Sequence, residues 1–226
     1  MTEIIKPEKR PEQKNNEKFV DFLNLSPEQK DELKKRIEEN NGLVRIFVHP
    51  FFNKITPDYN KERAEKMKAM NLALQKTLSL PEAKTPPILF FEEMEKISEL
   101  EENIQAIGTT EFKNKIYTVP TFRKDPEPAI LDTDGKLIRN PEKHWPIMNE
   151  KLKSVGIKKI IIGGMEFMTY AMGRTSRNKP DEIKFLGCVG EAIRRLSDDF
   201  DVEVSHLTFP ENRQDFDEIK QRANRV

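Results

Sequence analysis

The chain has 226 residues, 39 of them basic and 39 acidic, so no net charge draws it to nucleic acid or to an anionic membrane. A single cysteine excludes an internal disulfide and a cysteine-based zinc cluster, and points to a reducing compartment. Residues 1–18 lack the apolar core of a secretion signal and no apolar run reaches the ~18 residues of a membrane span, so the expected protein is soluble and cytoplasmic.

Residues 1–18 mix charges with Pro7, Pro11, Asn15 and Asn16 and bury too little apolar surface to offset the entropy of ordering, which predicts a disordered charged tail. Ser26-Pro27-Glu28-Gln29 is a capping box with proline at the first helical position, and predicts a helix over 27–39. Its few apolar residues, chiefly Leu33 and Ile37, form a narrow stripe, so 19–41 reads as a helical extension outside a single domain over 42–226. Within that domain Leu43–Val48 predicts a first strand, Lys61–Leu80 an amphipathic helix, 87–91 a second strand, Glu92–Ile107 a second helix and 115–120 a third strand. The proline-rich stretch 122–145 suits a small hairpin pairing 129–131 with 136–138. Helix 145–155, strand 157–162 ending at Gly163-Gly164, helix 187–196, strand 201–207 and a last helix from Gln214 complete the order. Strands alternating with helices require parallel pairing through right-handed crossovers, hence a Rossmann-like three-layer α/β sandwich with a mostly parallel sheet of five or six strands.

Ligands of such sheets bind at the carboxyl ends of the strands. That edge collects His49, Glu92, Glu93, Thr121, Arg123, Lys124, Asp125, Glu166 and His206. The long connection 163–187 brings Arg174, Arg177 and Lys179 ahead of a helix N-terminus at Gly187–Gly190, a pattern that suits a phosphate or carboxylate. It matches neither the Walker spacing nor G-x-G-x-x-G, and a solvated basic loop explains it as well. Cys188 stands at the first turn of that helix, where the dipole favours a thiolate; His49 or Glu166 would be its base and the amides of 187–189 an oxyanion site. A buried, inert thiol is the competing reading. His144, beside Trp145, reads as a cap or surface residue, and the acidic runs 92–102 and 198–201 as solvated helix faces and turns. Three scattered histidines define no metal site, and no cofactor is expected.

The order of elements, the glycine-rich fourth strand end and a helix opening with Cys188-Val189 resemble the isochorismatase-like cysteine hydrolases over residues 42 to about 210. The resemblance implies that Cys188 is the nucleophile and Lys124 the catalytic lysine. This chain differs in having His49 where the family has an aspartate, its lysine beyond Pro120, and 23 residues between Gly164 and Cys188. Three readings stay open at this point. One is a cysteine-dependent hydrolase of a small amide or related acyl substrate. The second is a module that holds a nucleotide or another anionic metabolite through Arg174, Arg177, Lys179, Gly187 and Gly190. The third is an interaction scaffold that meets a second copy or a partner protein through residues 1–40, whose 9 basic and 10 acidic groups exclude nucleic acid as that partner.

Overall fold

The run Leu43–Val48, with β-branched residues at Val44, Ile46 and Val48, forms the middle strand of a parallel sheet in the computed structural model of the protein. The structure describes residues 18–50, 71–72, 74–82, 85–108, 112, 114–122, 126–132, 137–138, 141–164, 168–172 and 182–205. Strands β1 (Phe19–Asp21), β2 (Leu43–Val48), β3 (Ile88–Glu93), β4 (Ile116–Thr121), β5 (Lys159–Gly164) and β8 (Asp201–Val204) form one sheet in the order β1-β4-β3-β2-β5-β8. Every pairing in it is parallel. An antiparallel pair, β6 (Met168–Met172) with β7 (Glu182–Leu186), stands apart between β5 and the next helix. The helices are α1 (Pro27–Glu39), α2 (Leu100–Ala106), α3 (Pro141–Ser154) and α4 (Cys188–Leu196).

From β2 the chain steps outward through β3 to β4, then returns past β2 to β5 and β8, which is the Rossmann-like reversal. Side-chain alternation sorts the sheet into two faces. On the first, Val44, Ile46, Val48, Ile160 and Ile162 pack with Leu33 and Ile37 of α1, Met148 and Leu152 of α3, and Val189 and Ile193 of α4. On the second, Phe47, Ile88, Phe90 and Ile116 pack with Leu74, Leu78, and Leu100 and Ile104 of α2.

Several elements differ from the sequence expectation. Residues 19–41, read as an extension, contribute β1 to the edge of the sheet beside β4, and α1 covers the first face with Leu33 and Ile37 fully buried. A narrow stripe suffices because polar groups on α1's flanks are matched: Arg36 pairs with Glu82 at 2.5 Å, and Glu32 accepts from Lys115 at 2.5 and 2.6 Å. The capping box is present, with Gln29 N 3.2 Å from Ser26 Oγ and Ser26 N 2.9 Å from Gln29 Oε1. Glu92 and Glu93 belong to β3, not to a helix, because the ladder with β4 runs on through Glu92↔Pro120 and Glu93↔Thr121. A 3-10 turn, Met94–Glu99, precedes the short α2. Helix α3 starts four residues before Trp145, at Pro141, a residue preorganised for the first helical position. The small hairpin of the proline-rich stretch is reduced to the antiparallel bridge Leu131↔Leu137, beside Ile138 N to Ile130 O at 3.0 Å. The expected tail ahead of Lys18, most of the helix from Lys61 and the last helix lie outside the described residues.

Candidate functional site at the sheet's switch point

The reversal puts the topological switch point between β2 and β5, outside whose carboxyl ends ligands of such sheets bind. Gly163 and Gly164 close β5 there, paired with Phe47 and Val48 of β2. Gly164 has φ +147, and a Cβ on it would overlap the Val48 carbonyl oxygen, with the Val48 carbonyl carbon and amide nitrogen each at 2.9 Å. Gly164 is therefore required by the close approach of two backbones.

His49 follows β2 directly and is 1% exposed. Its φ of +47 puts a non-glycine residue in the left-handed region; the other described case, Asn41, ends a helix, where such a conformation is routine. The His49 amide bonds to Phe91 O at 2.8 Å, and its ring reaches over β3 to β4, where Nε2 lies 2.9 Å from Thr121 Oγ1. Since β2 and β4 are two strand spacings apart, about 9.5 Å, the imidazole bridges the carboxyl end of β3. Beneath that bridge stands Glu93, in register with Thr121 and on the same face, 3% exposed and 2.9 Å from Lys96 Nζ. Glu92, on the opposite face, is fully buried and its Oε1 accepts from the Glu93 amide at 3.0 Å. Both carboxylates were expected on a solvated helix face; the continued strand turns them inward.

Burial pushes the His49 ring down to about 4, with Lys96 acting in the same direction and Glu93 against it. The folded ring is thus neutral at pH 7, whereas the unfolded one takes up a proton below about 6.5. Stability from this group is complete above pH 6.5 and falls as pH drops toward 4, by at most about 3 kcal/mol. His49→Asn tolerates the left-handed backbone and removes the titration. Denaturant unfolding of both proteins from pH 7 to pH 4 should show a flatter acid limb in the variant; equal slopes would mean that His49 does not set it.

A second buried histidine was expected at the surface. His144, in the first turns of α3, is 1% exposed, bonds through Nε2 to the Ile138 carbonyl, and stacks on Phe122 with ring centroids 5.6 Å apart. Its Nδ1 lies 2.8 Å from a Glu127 carboxylate oxygen. The residue is buried because three segments converge on it: the turn after β4, the stretch before α3, and α3 itself. Nothing in its sequence context, a charged run ahead of Trp145, gave that signal.

Cys188 is the first residue of α4, with Gly187 as N-cap, and is 8% exposed within the first-face core. Gly187 and Gly190 are buried beside it. The 23 residues that separate Cys188 from Gly164 contain the β6–β7 pair, so the chain leaves the sheet and comes back before α4 begins. Glu191, in the first turn, is taken by Arg194 and by Arg195, the latter at 2.9 Å. Burial raises that carboxyl, but the two guanidinium groups hold it below its ordinary range. Of the residues expected to line the site, His49, Cys188, Gly187 and Gly190 are placed at the carboxyl edge; Lys124, Glu166, Arg174, Arg177, Lys179 and His206 lie outside the described residues. Glu92, Glu93 and Thr121 are also at this edge, and Lys96, the ion-pair partner of Glu93, is the charged residue that sequence reasoning missed there, since it had been assigned to a solvated helix.

Among the described residues no group of three or more His, Cys, Asp or Glu is arranged to hold a metal ion, and no helix is long and apolar enough to cross a membrane. No protein-family model matches the chain, and no curated protein matches it. What the fold and the edge define is a class: a doubly wound parallel α/β protein with His49, Glu93, Lys96 and Thr121 gathered at the carboxyl ends of β2, β3 and β4.

Proposed function

We propose that the protein is a cysteine-dependent hydrolase of a small amide or related acyl compound, working at the switch point between β2 and β5. The observation that carries this reading is the place of Cys188, the first residue of the helix that follows the crevice strand. A thiol there sits in the partial positive charge of the helix end, which favours the thiolate, and beside backbone N–H groups suited to a developing oxyanion. The resemblance to the isochorismatase-like hydrolases rests on the same position, and the β6–β7 pair accounts for the extra chain length ahead of it. In this reading the thiolate attacks the acyl carbon, the leaving amine departs with a proton, and water releases the acid from the thioester.

His49 enters as a positioning residue, because its ring is held by Thr121 and its neutral form keeps the carboxyl end of β3 closed around Glu93. Lys124 remains the expected lysine, and Arg174, Arg177 and Lys179 the expected anchors of an anionic substrate. The second reading, a module that binds an anionic metabolite without chemistry, uses the same edge and requires no reactive thiol.

Alkylation by iodoacetamide separates the two. Cys188 should react with a rate that rises through a midpoint below the ~8.5 of an ordinary thiol, and prior alkylation or Cys188→Ala should abolish ammonia release from a panel of primary amides. A thiol that is inert at neutral pH in the folded protein would leave only the binding reading standing.

A further inference from the structure

At the amino edge of the sheet, opposite the switch point, two helix-to-strand corners lie side by side. The turn after α1 runs through Asn41 and Gly42 into β2, and the turn after α3 runs through Gly156 toward β5. The corners are tied together, since Gly42 O accepts from Lys158 N at 2.9 Å and from Lys159 N at 3.0 Å. Between the two helix ends lies a cleft of about 640 Å³, within the roughly 300–1,000 Å³ usual for small-molecule sites. Ile37 and Val155, 1% and 3% exposed, close its floor.

Three elements each bring a lysine to this cleft: Lys34 from α1, Lys153 from α3 and Lys158 from the entry to β5. One lining carboxylate, Glu38, stands against them. Lys153 is already engaged, with Asp199 at 2.6 Å and Glu150 at 3.2 Å. Lys34 and Lys158 have no ion-pair partner among the described residues. The carbonyls of the helix ends do not occupy them, because turn amides do: Gly42 N donates to Ile37 O at 2.8 Å and Gly156 N to Lys153 O at 2.9 Å. Lys158 is also held in place. A Cβ on Gly42 would lie 3.0, 3.1 and 3.2 Å from Lys158 Cβ, Cγ and Cδ, so the stem of the lysine is laid along the bare side of the glycine while the residue stays exposed. A lysine loses side-chain freedom when it grips an anion; at Lys158 much of that ordering precedes any ligand.

We propose that this cleft binds a small phosphate-bearing compound, with Lys34 and Lys158 as its anchors and Lys153 adding charge from the third side. A compact ammonium with rotatable donors meets a tetrahedral anion from any direction, whereas the planar fork that grips a carboxylate in two places belongs to arginine, which is absent from the lining. The site uses none of the groups at the carboxyl edge, so it stands or falls separately from the hydrolase reading.

The test is a titration of the full chain with sodium pyrophosphate at constant ionic strength, followed through the backbone amide resonances. Those of Gly42, Gly156 and Lys158 should shift along a saturable curve with a dissociation constant of about 1 mM or tighter. Lys34→Gln and Lys158→Gln should each weaken binding about tenfold or more, with little change in melting temperature because both residues are exposed. Lys159→Gln removes the same charge one position along, outside the lining, and should change the affinity less than about twofold. Shifts that do not saturate, or that respond equally to Lys158→Gln and Lys159→Gln, would overturn the proposal by reducing the effect to the general field of surface lysines. Saturable shifts confined to amides of the carboxyl edge would overturn it as well, by placing the anion there.

Discussion

Gly164→Ala should be among the most damaging single substitutions in the protein, lowering stability by about 4 kcal/mol or more. Two independent causes add at this residue. A φ of +147 is a conformation that side chains with a Cβ rarely adopt, and the added methyl group would fall on the Val48 backbone, the neighbouring strand of the same sheet. Backbone cannot yield as a side chain can, so β2 and β5 would have to separate at the switch point, carrying His49 and the start of the crevice with them. For a chain of this size the loss corresponds to roughly 10 °C or more in melting temperature. Gly163→Ala is the control, because its Cβ would meet only the Ser205 Cβ at 3.3 Å and the Phe47 ring at 3.5 Å, contacts that a small shift relieves. A differential melting comparison decides the matter: if the two alanine variants melt alike, the close approach at Gly164 is not the constraint described.

The same pair of residues shows how far the sequence could be read. Gly163-Gly164 marks a strand end in any reading, but only the three-dimensional register reveals that the second glycine is needed by a neighbouring backbone. The parallel sheet itself was legible, since five strands announce themselves as short β-branched or aromatic runs separated by helical periods. The sixth, Phe19–Asp21, was not, because three residues carry no period and its stabilisation comes from pairing with β4, nearly a hundred positions away. Leu33 and Ile37 were legible as a stripe but not as core, for hydrophobic pattern reports which side of a helix is apolar and not what lies against it. Glu92 and Glu93 were placed at the right edge but read as solvated, and His144 was read as a surface residue, for the opposite reason: charged residues are assigned to the surface unless a partner is visible, and Lys96 and Glu127 become partners only when the chain folds. The start of α4 at Cys188 was legible because its signal is local, a glycine ahead of an apolar helical run.

Removing residues 1–41 should abolish cooperative folding, which is the largest effect expected of any change at the N-terminal side. The deletion strips β1 from β4 and takes away Val20, Phe22, Leu33 and Ile37, each under a tenth exposed and all part of the first-face core. At roughly 1.5–3 kcal/mol for each buried side chain the loss is about 6–12 kcal/mol, comparable with the whole stability of a typical domain, about 5–15 kcal/mol. Two further consequences add to it. Arg36 and Glu32 leave Glu82 and Lys115 without their ion-pair partners, and the Tyr117 hydroxyl, whose burial beneath α1 pushes it up to about 12, is exposed to water. The tyrosine provides a readout once Tyr59 and Tyr170 are replaced by Phe: in the full chain the ultraviolet ionisation of Tyr117 should lie near 12, whereas in any partly folded truncation it should return toward the ordinary ~10. A truncation ending at residue 17 keeps β1, α1 and both ion pairs and serves as the matched comparison. Should the chain lacking 1–41 still melt cooperatively within a few degrees of that comparison, with Tyr117 unchanged, the N-terminal strand and helix would be an appendage, and a role for them in docking to another protein would regain its force.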